Sequence, residues 1–166
     1  MSHDTKDVLL ALGSNINRKK NLPRAFDALS QHPSIELCAV SPVYESLPVG
    51  GRPDQPIYYN AATYIKTVLE PADLKDALRQ IEQDFGRVRT KDKYASRPID
   101  IDITMYAQQI FALDGNHIPD PDLTRYPHIA LPIADIAAGW VHPENGLFLR
   151  QIADSLTYDE TEIYQV

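Results

Sequence analysis

One cysteine, Cys38, stands among the 166 residues. A lone cysteine excludes an internal disulfide and a cysteine-built zinc site, so the chain must be held together by packing. Free cysteine is among the most buried residue types, which places Cys38 in the expected core. Long apolar runs are missing as well. None approaches the roughly 18 residues that a membrane span requires, and the polar stretch 1–6 reads as an N-terminal tail, so a cytoplasmic protein with no membrane partner is expected. Positive charge is scarce, with 16 Lys and Arg against 23 Asp and Glu for a formal net charge of −7. A general nucleic-acid binder carries a basic face, so no nucleic-acid partner is expected. Internal repeats and low-complexity segments are absent too. The remainder, 43% apolar and 23% charged, describes a single globular domain over 1–166.

The scarce positive charge is concentrated. Between positions 87 and 97 the sequence reads RVRTKDKYASR, with Arg87, Arg89, Lys91, Lys93 and Arg97 opposed only by Asp92. That is a local net of +4, which leaves −11 on the other 155 residues. A cationic island in an acidic chain attracts a small polyanion.

Directly after the island comes Pro98-Ile99-Asp100-Ile101-Asp102-Ile103-Thr104-Met105-Tyr106. Strict alternation predicts a half-buried strand with Ile99, Ile101 and Ile103 toward the core and Asp100 and Asp102 together on the other face. Two carboxylates about 6 to 7 Å apart on one face repel each other unless a positive group lies between them. A hard divalent cation answers that need, and Mg²⁺ is commonly held by one or two carboxylates together with substrate phosphates. Cations for phosphate oxygens beside carboxylates for Mg²⁺ are the parts of a phosphoryl-transfer site.

The rest of the chain supplies a frame. Residues 7–12 fit a buried strand broken at Gly13-Ser14-Asn15. Leu22, Phe26 and Leu29 recur at helical spacing and end before Pro33. Residues 35–41 and 59–67 read as strands, and the proline-rich stretch 42–56 between them as a long ordered loop. Pro71 opens a second helix with the stripe Leu74, Leu78, Ile81 and Phe85, stopped by Gly86. The order β-α-β-β-α-β predicts an α+β fold of the ferredoxin-like kind, an antiparallel sheet with helices packed on one face. A C-terminal extension follows, with a short helix near 133–138.

Five separated motifs, in order, resemble the 6-hydroxymethyl-7,8-dihydropterin pyrophosphokinase family over roughly residues 8–156. They are Leu12-Gly13-Ser14-Asn15; Ser41-Pro42-Val43-Tyr44-Glu45-Ser46 with Pro48-Val49-Gly50; Asp54-Gln55-Pro56-Ile57-Tyr58-Tyr59-Asn60-Ala61-Ala62; Ile81-Glu82 with Gly86-Arg87-Val88-Arg89; and Arg97-Pro98-Ile99-Asp100-Ile101-Asp102. The resemblance implies transfer of pyrophosphate from ATP to the hydroxymethyl group of the reduced pterin, with release of AMP. It implies two Mg²⁺ ions, entering with ATP, on Asp100 and Asp102, and phosphate contacts from Arg87 and Arg97. Glu82, Arg89, Tyr94, Arg97 and the backbone at Ile103 match positions that hold the nucleotide. Asn60 matches the residue whose amide reads the pyrimidinone edge, Tyr58 the stacking aromatic, and Ser46, Leu47 and Val49 the pocket walls. The implied partners are ATP and 6-hydroxymethyl-7,8-dihydropterin. No obligate protein partner is evident, and a monomer is expected.

The segment 118–128 departs from the family pattern of Pro-His-Pro, an Arg and then a Phe. Asp120 stands at the His position, Tyr126 at the Arg position with Arg125 one place earlier, and His128 at the Phe position. Arg125 would serve the nucleotide from its shifted position and His128 would stack on the pterin as a flat ring. Two other readings fit the residues: a paralogue that keeps the pterin and metal groups but takes another phosphate donor or pterin, and a non-catalytic pterin-binding module.

Overall fold

A computed structural model describes residues 4–47, 56–87, 91 and 96–166. The chain runs β1 (Lys6–Ser14), α1 (Arg18–Gln31), β2 (Ile35–Val40), β3 (Tyr44–Ser46), β4 (Tyr58–Thr67), α2 (Pro71–Asp84) and β5 (Asp100–Tyr106). A hairpin of β6 (Phe111–Leu113) and β7 (Asn116–Ile118), a 3-10 turn (Pro121–Thr124), α3 (Pro127–Ala137), α4 (Leu149–Ser155) and β8 (Ile163–Gln165) follow.

β1 is apolar from Val8 to Leu12 and lies inside the sheet, antiparallel to β4 on one side and to β5 on the other. The far edge of β4 is shared: β2 pairs with its second half and β3 with its first, and β8 adds to β3. The stretch 42–56 is therefore not all loop. Tyr44–Ser46 forms β3 because Tyr44 is buried beside Ala62 and its neighbours, while residues 48–55 lie outside the described residues.

Alternation along β1 splits the core into two layers. Val8, Leu10 and Leu12 face α1 and α2, packed against Leu22, Leu29, Leu74 and Leu78. Leu9 faces the opposite side with Ala62, Met105 and residues of α3 and α4. The helices thus lie on both faces of the sheet, and not on one, because α3 covers the apolar half of the second face. Pro127 opens α3 at a position where its missing N–H costs nothing, which extends the expected 133–138 helix backward. Gly86 ends α2 with a φ of +85°, a conformation that favours glycine.

Cys38 is exposed, contrary to the expectation of a core residue. Among the described residues β2 pairs with β4 alone, and a register shift between Leu37 and Ala39 leaves Cys38 without a partner opposite, so its side chain faces outward. Among the described residues no helix is long and apolar enough to cross a membrane.

Candidate functional site

The second face of the sheet is covered by α3 only at one end, and the expected site residues occupy the other. Ile99, Ile101 and Ile103 are buried in the layer under α1 and α2, which turns Asp100 and Asp102 to the second face as the alternation requires. Gly13 pairs with Asp100 on one side and with Asn60 on the other, so these residues form one row across β5, β1 and β4. A Cβ added at Gly13 would lie 3.6 Å from both Asn60 Oδ1 and Tyr58 Cδ1. The glycine is the floor between the carboxylate end and the amide end of the row.

At the carboxylate end, two guanidiniums converge on Asp100. Arg87 Nη1 donates to its Oδ1 at 2.6 Å and Arg97 Nη1 to its Oδ2 at 3.0 Å. Arg87 also pairs with Glu82, whose side chain is 3% exposed and whose Oε2 accepts the Ile101 N–H at 3.0 Å. Burial opposes ionisation of Asp100, but Arg87 and Arg97 overcome it and hold the carboxyl below the usual range. Asp102 goes the other way. The protein packed about its carboxyl disfavours the charge, the neighbouring carboxylates of Asp100, Glu82 and Asp120 add to this, and its pKa lies well above the ordinary value although the residue keeps solvent contact. Burial likewise raises Glu82 and Asp120.

At the amide end, Asn60 is buried and its Nδ2 donates to Ser46 Oγ at 2.6 Å. Tyr58 is half-buried; burial raises its phenol, with Arg97, Asp100 and Arg87 as its charged neighbours, so the ring bridges the two ends. Leu47 is exposed beyond Ser46. His128 stands in the first turn of α3, stacked on Tyr126 with centroids 5.4 Å apart, and burial lowers its pKa to about 4.

The nucleotide candidates are more scattered. The side chain of Ile103 is buried in the core, which leaves only its backbone for a ligand. Arg125 is exposed at the end of the 3-10 turn. Asp120, on the same turn, spends Oδ1 on the Asp122 N–H at 2.9 Å, and its own N–H donates to the Thr104 carbonyl. Val49, Arg89 and Tyr94 lie outside the described residues. Sequence reasoning left Ser14 and Asn15 without a role. Ser14 Oγ donates to the Pro98 carbonyl at 2.6 Å, and Asn15 Oδ1 accepts the Arg97 N–H at 2.8 Å. A Gly-Ser-Asn break straight after an apolar strand was the available signal, but its partners lie more than 80 residues away.

Asp100 and Asp102 are hard oxygen donors suited to a divalent cation. Among the described residues no cluster of three or more His, Cys, Asp and Glu is arranged to hold a metal by itself. A cation placed on the pair would therefore draw further oxygens from its ligand, as Mg²⁺ does from nucleotide phosphates.

The profile of the 7,8-dihydro-6-hydroxymethylpterin-pyrophosphokinase family matches residues 9–138, which include every element of this site. The chain belongs to that family. It is 36% identical over 149 residues to the 2-amino-4-hydroxy-6-hydroxymethyldihydropteridine pyrophosphokinase of Haemophilus influenzae, covering 87% of this chain and 92% of that one. To the protein of the same name from Pseudomonas aeruginosa it is 37% identical over 131 residues, 78% of this chain and 80% of the other. In fold it is similar to the Plasmodium falciparum HPPK-DHPS triple mutant crystallised with STZ-DHP, at a TM-score of 0.73 and 15% identity. That similarity covers 92% of this chain and 43% of the longer Plasmodium chain. The residues Asp120, Tyr126 and His128 lie at the 3-10 turn and the start of α3, with Asp120 close enough to the acidic end of the row to disfavour the charge on Asp102.

Proposed function

We propose that this chain is a pyrophosphokinase of folate biosynthesis, transferring the β,γ-pyrophosphoryl group of ATP to the hydroxymethyl oxygen of 6-hydroxymethyl-7,8-dihydropterin and releasing AMP. The observation that carries the reading is the single row of Asp100, Gly13 and Asn60 on one sheet face, with Arg87 and Arg97 converging on its acidic end.

Strand spacing sets the two ends about 10 Å apart, a span that fits a pterin ring with a phosphoryl group beyond it. Asn60 offers an acceptor and a donor side by side to the pyrimidinone edge, and Tyr58 offers a ring to stack on. The hydroxymethyl group then points along the row toward Asp100 and Asp102. Mg²⁺ held there with ATP would neutralise phosphate charge and ease deprotonation of the hydroxymethyl group. Its oxygen attacks the β-phosphorus as its proton passes to solvent, the bond from that phosphorus to the α,β-bridging oxygen breaks, and the electron pair leaves with AMP. Arg87 and Arg97, which pair with Asp100, turn to the phosphates and offset charge on the leaving group. The reaction needs no oxidant and no covalent enzyme intermediate.

Calorimetric titration with a non-hydrolysable ATP analogue and Mg²⁺, without and with 6-hydroxymethylpterin, tests this reading, together with an assay of AMP release from ATP and the dihydropterin. Nucleotide binding that tightens in the presence of the pterin, with AMP formation, is expected. Pterin binding with no nucleotide response would mean that the 118–128 segment has changed the donor. Failure to bind pterin would remove the reading altogether.

A further inference from the structure

Asn15 is 2% exposed and sits where three separate pieces of chain meet: the end of β1, the entry to β4 and the segment that carries Arg97. Its Oδ1 accepts the Arg97 N–H at 2.8 Å, and its own backbone N–H donates to the Arg97 carbonyl at 3.2 Å. Both backbone groups of Arg97 are therefore held by one residue. The other side of the amide is used as well, since Nδ2 lies 3.3 Å from Ser96 Oγ and 3.5 Å from the Pro56 carbonyl. Next to it, Ser14 is fully buried and donates from Oγ to the Pro98 carbonyl at 2.6 Å. Residues 96, 97 and 98 are each tied to the Ser14-Asn15 pair.

We propose that Asn15, with Ser14, is a positioning residue for the phosphoryl-transfer step: it fixes the backbone of Arg97 so that the guanidinium projects at Asp100 and at the phosphates that bind there. This rests on the pyrophosphokinase reading of Arg97. The chemistry of the side chain explains its identity. Arg97 N–H needs an acceptor while Pro56 carbonyl needs a donor, and an amide presents both from one short stem. Asp would set a carboxylate against a carbonyl, and Gln would overshoot by a methylene. Because Pro56 leads directly into the strand that bears Tyr58 and Asn60, the same amide holds the phosphate side and the pterin side in a fixed relation. Misplacement of a charged group by about 1 Å at a transfer site costs on the order of 100-fold in rate, so a clamp of two hydrogen bonds on the arginine backbone is a sensitive point.

A double-mutant cycle on turnover tests this with Asn15→Ala, Arg97→Ala and the double variant, alongside urea unfolding and fluorescence titration with 6-hydroxymethylpterin. Asn15→Ala is expected to lower kcat by about 10- to 100-fold with pterin affinity within about threefold of wild type. In the Arg97→Ala background the same change is expected to cost less than about threefold, since residues that act through each other are not additive. Equal losses in both backgrounds, or a fall in unfolding midpoint with kcat intact, would make Asn15 a scaffold residue and overturn the proposal. Should Asn15→Ala not fold, Ser14→Ala carries the same cycle, with a smaller loss of kcat that again disappears without Arg97. An inactive wild type that binds no pterin would instead defeat the underlying pyrophosphokinase reading.

Discussion

Asp100 and Asn60 pair with the same residue, Gly13, from opposite sides of β1. Their separation is therefore set by two interstrand steps of a hydrogen-bonded sheet and not by any loop. The acidic end and the amide end of the site cannot drift relative to each other without breaking ladder bonds, which gives a two-substrate reaction a rigid baseline.

The floor of that row is the first point to test. Gly13→Ala adds a methyl in ordinary contact with Tyr58 and Asn60, so stability should change by less than about 1 kcal/mol. On the proposed placement of the pterin the same methyl occupies space beside Tyr58 and Asn60 that the ring needs. Pterin affinity should fall about tenfold while nucleotide affinity is unchanged, measured by titration of each ligand separately.

Asp102 is the member of the acidic pair whose charge the protein disfavours. A metal ion is the group that would stabilise that charge. Asp102→Ala should lower turnover on the order of 10²- to 10³-fold and leave pterin binding within a few-fold of wild type. Near-wild-type rates would sink the metal assignment.

Glu82 is buried, pairs with Arg87 and caps the Ile101 N–H. Glu82→Ala removes the partner of a buried cation and orphans a backbone donor, an effect of about 3 kcal/mol or more in urea unfolding. Arg87 would then lean wholly on Asp100, and turnover should fall as well. A variant with unchanged unfolding midpoint would show that the pair is not part of the folded chain in solution.

His128 provides a pH test. Burial lowers its pKa from 6.5 to about 4, so in the unfolded chain it takes up a proton in a range where the folded chain does not. Stability should therefore decline as pH falls from about 6.5 to about 4, and this contribution is complete above 6.5. His128→Phe removes the titrating ring and should flatten the decline in that window, read from unfolding midpoints at successive pH values. An unchanged slope in the variant would place the lost stability elsewhere.

Much of the site was legible because it rests on local periodicity. The alternation from Ile99 to Ile103 placed Asp100 and Asp102 correctly, and the stripe Leu74, Leu78 and Ile81 placed α2 with its trailing arginine. What escaped was whatever depends on distant partners. Tyr44–Ser46 is too short to announce a strand, and it forms because β4 and β8 flank it. Cys38 composition pointed inward, but a bulge on β2 turned it out. A similar shift at Thr104, between the pairs Leu10 with Ile103 and Leu9 with Met105, moves Met105 to the second core, where strict alternation would have kept it with Ile103. Asn15 was visible only as part of a turn, since its worth lies in contacts with Pro56, Ser96 and Arg97.

The contact from Ile101 N–H to Glu82 has a further effect on how the molecule behaves among its own copies. Among the described residues β5 has β1 on one side and no strand on the other, and such a margin invites the strand of a second chain to dock and start aggregation. Glu82 occupies the Ile101 donor from within the chain, and Arg87 links the same carboxylate to Asp100. The residues proposed to serve the chemistry also make this margin a poor template for self-association.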